Sequence, residues 1–222
     1  MAERILDASN VNPASAEQVR ASKAVALIWK ATQGSYFTDK TIAAGRKIAA
    51  TLRIPFGSYV FQDPRDTPAG QHSRYLAAAK PRPGDLEPII DSETTAGKTW
   101  AEIAGNVDAL ARLFEAGGYR PLLYGSTSWL LRLYEAQPRL RRLRVWQAQY
   151  PRIIPPVLKK LLGQRTRLGK GATVVAWQYT TRWKILGRGF DGSYLLAPLD
   201  SILIPHPKAA KAAGGRRVPA KA

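Results

Sequence analysis

The sequence predicts an α/β protein: a (β/α)-type barrel, irregular in its last third, with a flexible basic C-terminal tail. Three observations carry this. Short β-rich apolar runs recur eight times before residue 196, helical patterns separate most of the early ones, and the last seventeen residues hold almost no large apolar side chain. Strand and helix alternating at this density favour parallel strands joined by crossovers, and about eight strands in about 200 residues fit a closed barrel. With 222 residues and 45% hydrophobic composition the chain can bury one sizeable core. The expected organisation is a barrel domain over residues 1–204 and a disordered basic tail over 205–222.

The elements follow in order. Ile5 and Leu6 form a short first strand. Residues 25–29 (VALIW) are a continuous apolar run, as a strand covered on both faces requires. Residues 39–52 place Ile42, Ala43, Ile48 and Ala49 on one helical stripe, and 56–61 (FGSYVF) return to a strand. Residues 68–79 are helical, 88–90 (PII) a strand, and 98–116 a longer helix that Gly117-Gly118 stops. Strands at 121–124 and 144–146 flank a helix at 126–136. The last third offers strands at 173–177 and, more weakly, 191–195, with too little helix for an ideal barrel.

Composition narrows the chemistry. Cysteine is absent, which excludes disulfides, thiolate metal sites and cysteine nucleophiles. The only histidines are His72, in a helical pattern, and His206, beside the tail, so carboxylates must carry any acid–base work. No metal and no cofactor is expected. Lys and Arg number 34 against 16 Asp and Glu, a net charge of +18. From Arg132 to Arg188 fourteen cations face only Glu135, and the tail adds five more. Such a field favours a polyanionic partner. No interleaved aromatic and basic motif points to specific nucleic-acid binding. The N-terminus MAERILD leaves no room for a signal peptide, and no apolar stretch reaches the length of a membrane span.

In a barrel of this type function gathers where strands end. The polar residues so placed are Asp7, Lys30 and Thr32, Tyr59, Asp91 and Glu93, and Trp177-Gln178-Tyr179. The central element is PIIDSE. Strand alternation sends Asp91 and Glu93 to one side with Cβ atoms about 6–7 Å apart. Two carboxylates that close push one pKa upward, so that one stays protonated while the other is anionic, as glycoside hydrolysis demands. By itself Asp-x-Glu fits a metal site or a pair of solvated acids equally well.

Longer matches discriminate. LDASN with Asp7, WKATQG followed by Asp39, GSYVF, PIIDSE, PLLYGS, VWQAQY, AWQYT and GFDGSYL with Asp191 stand in an order and spacing that resembles the family-25 glycoside hydrolases. These are lysozymes that cut the β-1,4 bond between N-acetylmuramic acid and N-acetylglucosamine in peptidoglycan, and many are phage endolysins. The resemblance covers residues 5 to about 196. It implies that Glu93 is the general acid and that Asp91 stabilises charge at the anomeric carbon or orients the N-acetyl group. Asp7 and Asp191 would complete the acidic cluster. Spacing leaves covalent and substrate-assisted attack both open.

Three departures stand out. Val60 occupies the place of a usual histidine, the basic stretch after Tyr150 is long, and Asp191-Gly192-Ser193 replaces the usual Asp-x-Asn.

Tyr59, Tyr124, Trp146, Trp177 and Tyr179 are candidates to stack on sugar rings, whose C–H faces are apolar. Gln178 is a candidate to orient a carboxylate. Lys30 either binds substrate or pairs with Asp7 or Asp39. The resemblance further implies a monomer made in a host cytoplasm and released to the wall, for example through a holin. It would meet glycan strands at the mouth and anionic wall polymers through its basic surface and tail. The rival expectation is a non-catalytic wall-binding or virion structural protein that keeps the lysozyme-like fold.

Overall fold

The computed structural model describes residues 3–150, 168–169 and 171–206. The basic stretch 151–167, Lys170 and the tail from residue 207 onward lie outside the described residues. The strands are β1 (Arg4–Ala8), β2 (Ala26–Gln33), β3 (Phe37–Thr38), β4 (Phe56–Phe61), β5 (Ile89–Asp91), β6 (Leu122–Ser126), β7 (Arg144–Ala148), β8 (Thr173–Ile185) and β9 (Arg188–Leu195). The helices are α1 (Ala16–Ser22), α2 (Ile42–Leu52), α3 (Pro68–Ala79), α4 (Trp100–Ala116) and α5 (Thr127–Ala136).

β1, β2, β4, β5, β6, β7 and β8 pair in that order, all parallel. β9 then pairs antiparallel with both β8 and β1 and closes an eight-stranded barrel. The short β3 hangs antiparallel from the end of β2. Closure therefore differs from the expected series of parallel crossovers. Only Leu186-Gly187 separates β8 from β9, and both take positive φ, +46° and +81°. That geometry builds a tight hairpin, whereas a parallel return needs a dozen residues or more.

Alternation along the strands makes two cores. Ile5, Ile28, Ile89, Leu122 and Trp146 fill the barrel interior. Their neighbours Leu6, Trp29, Ile90, Leu123 and Val145 face outward onto the helices, meeting Val107, Phe114 and Leu133. Sequence chemistry fixes the helix starts. Thr99 and Glu102 form a capping box on α4, Thr67 caps α3 ahead of Pro68, and Ser126 caps α5. α2 begins at Ile42 because Asp39 is diverted from the helix: its carboxylate accepts from the backbone N–H of Asn10 and from Thr41 N–H and Oγ1. α2 packs so closely on β2 that a Cβ on Gly45 would lie 2.4 Å from the Trp29 ring. α1 and β3 are additions to the elements expected from sequence.

Candidate active site

At the C-terminal ends of the parallel strands a cavity of about 230 Å³ opens. Its acidic lining is Asp7, Asp91, Glu93 and Asp191, joined by Lys30, Tyr59, Tyr124 and Trp146. The structure thus brings together eight of the residues singled out from sequence. Asp7 on β1 and Asp191 on β9 are direct cross-strand partners, so residues far apart in the chain meet because β9 closes the barrel. Asp91 ends β5, in register with Phe61 of β4 and Tyr124 of β6.

The segment carrying Asp91 and Glu93 is pinned on both sides. Gln62 N–H donates to the Asp91 carbonyl at 2.8 Å, and Ser92 N–H donates to the Tyr124 carbonyl at 3.2 Å. The buried Ser92 hydroxyl donates to Gln62 Oε1 and accepts from the Trp129 indole, both at 3.2 Å. Gly125 completes the fit, since a Cβ there would sit 3.2 Å from the Ser92 carbonyl oxygen. Glu93, two residues past the strand end, consequently projects into the same cavity as Asp91.

Burial raises the pKa of all four carboxyls. Asp191 adds repulsion at Asp7 and Glu93, while Asp91 feels Glu93 and Asp7. The Gln178 side chain hydrogen-bonds Asp191 and holds its pKa down against burial. Asp91 Oδ1 is buried without a hydrogen-bond partner among the described residues. Among the described residues Lys30 is the single cation lining the cavity. Burial lowers its pKa, and Asp91 and Asp39 counter that. The expected ion pair of Lys30 with Asp7 or Asp39 does not form. Its ammonium donates to Gln33 Oε1 at 2.9 Å and sits 4.9 Å from the centre of the Phe61 ring, because Asp39 is already engaged with Asn10 and Thr41. Burial also raises the phenols of Tyr59 and Tyr124, which therefore stay protonated as donors. The Trp146 indole is fixed by donating to Ser193 Oγ at 3.0 Å.

Trp177 and Tyr179 do not line this cavity. Trp177 pairs across the hairpin with Tyr194 and Gln178 with Ser193, so alternation turns Trp177 away from the barrel when Gln178 turns in. Tyr179 stacks on Tyr194 with ring centres 4.4 Å apart, on the same outer side. Gln178 stands behind Asp191, its side chain hydrogen-bonded to that carboxyl. Nor do these three end a strand, because β8 runs on to Ile185.

Besides Ile28 and Ile89 on its floor, four cavity neighbours escaped the sequence reading. Phe61 lines the wall, and its place at the end of GSYVF was the available signal. Ser9 and Val11 enter from the loop after β1, Val11 being 80% exposed. Tyr150 hydrogen-bonds the Tyr124 side chain at the rim. Among the described residues no group of three or more His, Asp or Glu side chains is arranged to hold a metal ion, and no helix is long and apolar enough to cross a membrane.

A barrel with carboxylates gathered at its C-terminal mouth has the arrangement that α/β-barrel glycosidases use. The family model of the glycosyl hydrolases family 25 matches residues 7–188, and the chain belongs to that family. Among solved structures it is similar to the bacterial lysozyme from Streptomyces coelicolor, with 16% identity, 91% of this chain and 95% of that chain covered, and a TM-score of 0.75. A family GH25 lysozyme from Aspergillus fumigatus gives 18% identity, coverages of 90% and 97%, and a TM-score of 0.74. The CTP1L endolysin gives 18%, coverages of 87% and 66%, and 0.66. No curated protein sequence matches the chain.

Proposed function

We propose that this glycoside hydrolase is a muramidase, cleaving the β-1,4 bond between N-acetylmuramic acid and N-acetylglucosamine in bacterial peptidoglycan. The observation that carries the reading is the pinned 91–93 segment, which presents Asp91 and Glu93 to one cavity among two further carboxyls. Glu93, its pKa raised by burial and by Asp191, keeps its proton to higher pH than an ordinary carboxyl and donates it to the leaving glycosidic oxygen. Asp91, which burial, Glu93 and Asp7 push upward, is assigned the anionic role because Lys30's positive charge opposes that push at Asp91 and not at Glu93; it would stabilise the developing charge at the anomeric carbon or hold the N-acetyl group against it. Burial and repulsion from Asp191 keep the Glu93 proton in place, and Gln178 orients Asp191. Trp146 and Phe61 offer ring faces to the sugar, and Tyr59 and Tyr124 offer donors. Trp177 and Tyr179 are left out of the substrate contacts.

Within this reading residues 1–204 form the catalytic domain, acting as a monomer on the cell wall after release, in the manner of an endolysin. The similarity to the CTP1L endolysin supports that setting. The basic surface and the residues after 204 would concentrate the enzyme on anionic wall polymers.

The test is digestion of purified peptidoglycan followed by mass analysis. New reducing ends on N-acetylmuramic acid, lost in Glu93→Gln, are expected. Release of peptides alone would make the chain an amidase or peptidase and end the proposal.

A further inference from the structure

The β8–β9 hairpin reaches beyond the barrel that it closes. β8 pairs with β7 only as far as Gln178, opposite Ala148, yet continues to Ile185. On the partner strand, Arg188 lies three residues past Asp191, roughly 10 Å above the Asp7–Asp191 level at the usual strand rise. This overhang is fastened to the loop that lines the cavity. Asn12 Nδ2 donates to the Gly189 carbonyl and Arg188 Nε donates to Asn12 Oδ1, both at 3.1 Å, beside Val11 at the rim.

The two sides of the overhang differ in chemistry. Trp183, Ile185 and Phe190 pack outward into the core shared with the helices. Gly189 lies two residues from Asp191 and so faces the cavity side, and Lys184 is its direct cross-strand partner. Arg182, two residues from Lys184, falls in the irregular stretch between the Thr180–Gly192 and Trp183–Phe190 pairs, on the strand face opposite to Trp183. Its Cα is 3.9 Å from where a Cβ on Gly189 would stand. Both cations are exposed, and neither has a carboxylate within ion-pair distance among the described residues. The cavity wall is thus continued outward by two uncompensated positive charges above an acidic floor.

On a glycan strand stripped of its peptides the only acid is the lactyl carboxylate held close to each muramic ring. In peptidoglycan that acid is tied up as an amide, and the peptide stem carries free carboxylates farther out, at the height of the overhang. Resting on the muramidase reading, we propose that Arg182 and Lys184 bind stem-peptide carboxylates, making the hairpin a specificity element that favours peptide-substituted over bare glycan.

The test compares two substrates prepared from one teichoic-acid-free peptidoglycan: strands with intact stems, and the same strands stripped by an N-acetylmuramoyl-L-alanine amidase. For the wild-type chain KM should be lower on stem-bearing strands. In the Arg182→Gln, Lys184→Gln double variant it should rise roughly three- to tenfold on those strands, the range expected of two exposed ion pairs, with kcat unchanged and a clearly smaller change on stripped strands, whose lactyl carboxylates lie close to the sugar ring. A double variant that loses nothing on stem-bearing strands, or loses equally on both, overturns the assignment while leaving the muramidase reading intact. A wild-type chain that cleaves neither substrate removes the muramidase reading and this inference together. If the variant instead loses only its binding to teichoic-acid-bearing walls, the cations serve phosphate polymers and the stem assignment is wrong.

Discussion

Replacing Asp7 with Asn should make the protein more stable at neutral pH while making it a poorer enzyme. Asp7 and Asp191 are direct antiparallel partners, which puts their Cβ atoms about 5 Å apart. Two unit charges at that distance repel by about 3 kcal/mol at an effective permittivity near 20. Partial protonation relieves some of this, so the expected gain from neutralising one partner is about 1–3 kcal/mol. Asn keeps the oxygen that accepts from the Ala8 backbone, so that contact survives. The pH dependence gives the sign. Both carboxyls have folded pKa values above their ordinary ones, so the folded chain holds their protons more tightly than the unfolded chain does. That contribution is full below the unfolded pKa, near 4, and is lost as pH rises through the folded values. The Asn advantage should therefore be large at pH 7.5 and shrink towards zero at pH 4. For a domain of this size it corresponds to about 2–10 °C in Tm at pH 7.5. Thermal melts of wild type and Asp7→Asn at both pH values provide the assay. A variant that melts lower at pH 7.5, or gains equally at both, would refute the argument that these carboxyls repel across the closing strands.

Glu93→Gln should cost ~10²–10⁴-fold in hydrolysis with no loss of thermal stability, since the amide is near-isosteric but cannot protonate the leaving oxygen. The wild-type rate should fall as pH rises through the Glu93 pKa, at an inflection above the ordinary 4.5, and a basic limb at or below 4.5 would deny it the acid role. Gly45→Ala should destabilise by about 1–3 kcal/mol, the helix-propensity gain being outweighed by the contact with Trp29; urea titration would show it, and a stabilised variant would mean that α2 can slide on β2. Leu186→Asn should stabilise by about 0.5–1 kcal/mol, because Leu186 holds φ at +46° while 60% exposed, and an unchanged denaturation midpoint would show that this turn carries no strain worth relieving.

Much of the fold was legible because its elements obey local rules. The strand at Phe56–Phe61 and the helix at Pro68–Ala79 have the bounds that their patterns predict, the latter with Thr67 and Pro68 at its start. The missing pieces are those whose reasons are not local. α1 is seven residues long, so its capping box of Ser15 and Gln18 precedes too little periodicity to register. β3 is two residues that exist only by pairing with the end of β2. At the site, Asp91 and Glu93 were readable because an apolar run stops at them. Ser9, Val11 and Tyr150 were not, since loop and rim residues carry no pattern that points inward.

The misplaced aromatics are more instructive, for parity alone bears on them. Trp177, Gln178 and Tyr179 are consecutive on a strand, so if Gln178 faces the barrel its neighbours face away. Which parity turns inward is decided by the register with β7 and β9, where the ladder shifts between Val145 and Trp146 and again after Gln178. The same pairing sets Asp191 opposite Asp7 and Ser193 within reach of the Trp146 indole. One closing strand thus fixes three things at once: it seals the barrel, it forces two carboxyls together, and it turns Gln178 inward to hold one of them. Its energetics oppose each other, because the pairing that completes the sheet also assembles the charge repulsion that raises the pKa values of Asp7 and Glu93. A barrel closed instead by a parallel strand would have needed a crossover where this chain has two turn residues, and the overhang that carries Arg182 and Lys184 would not exist.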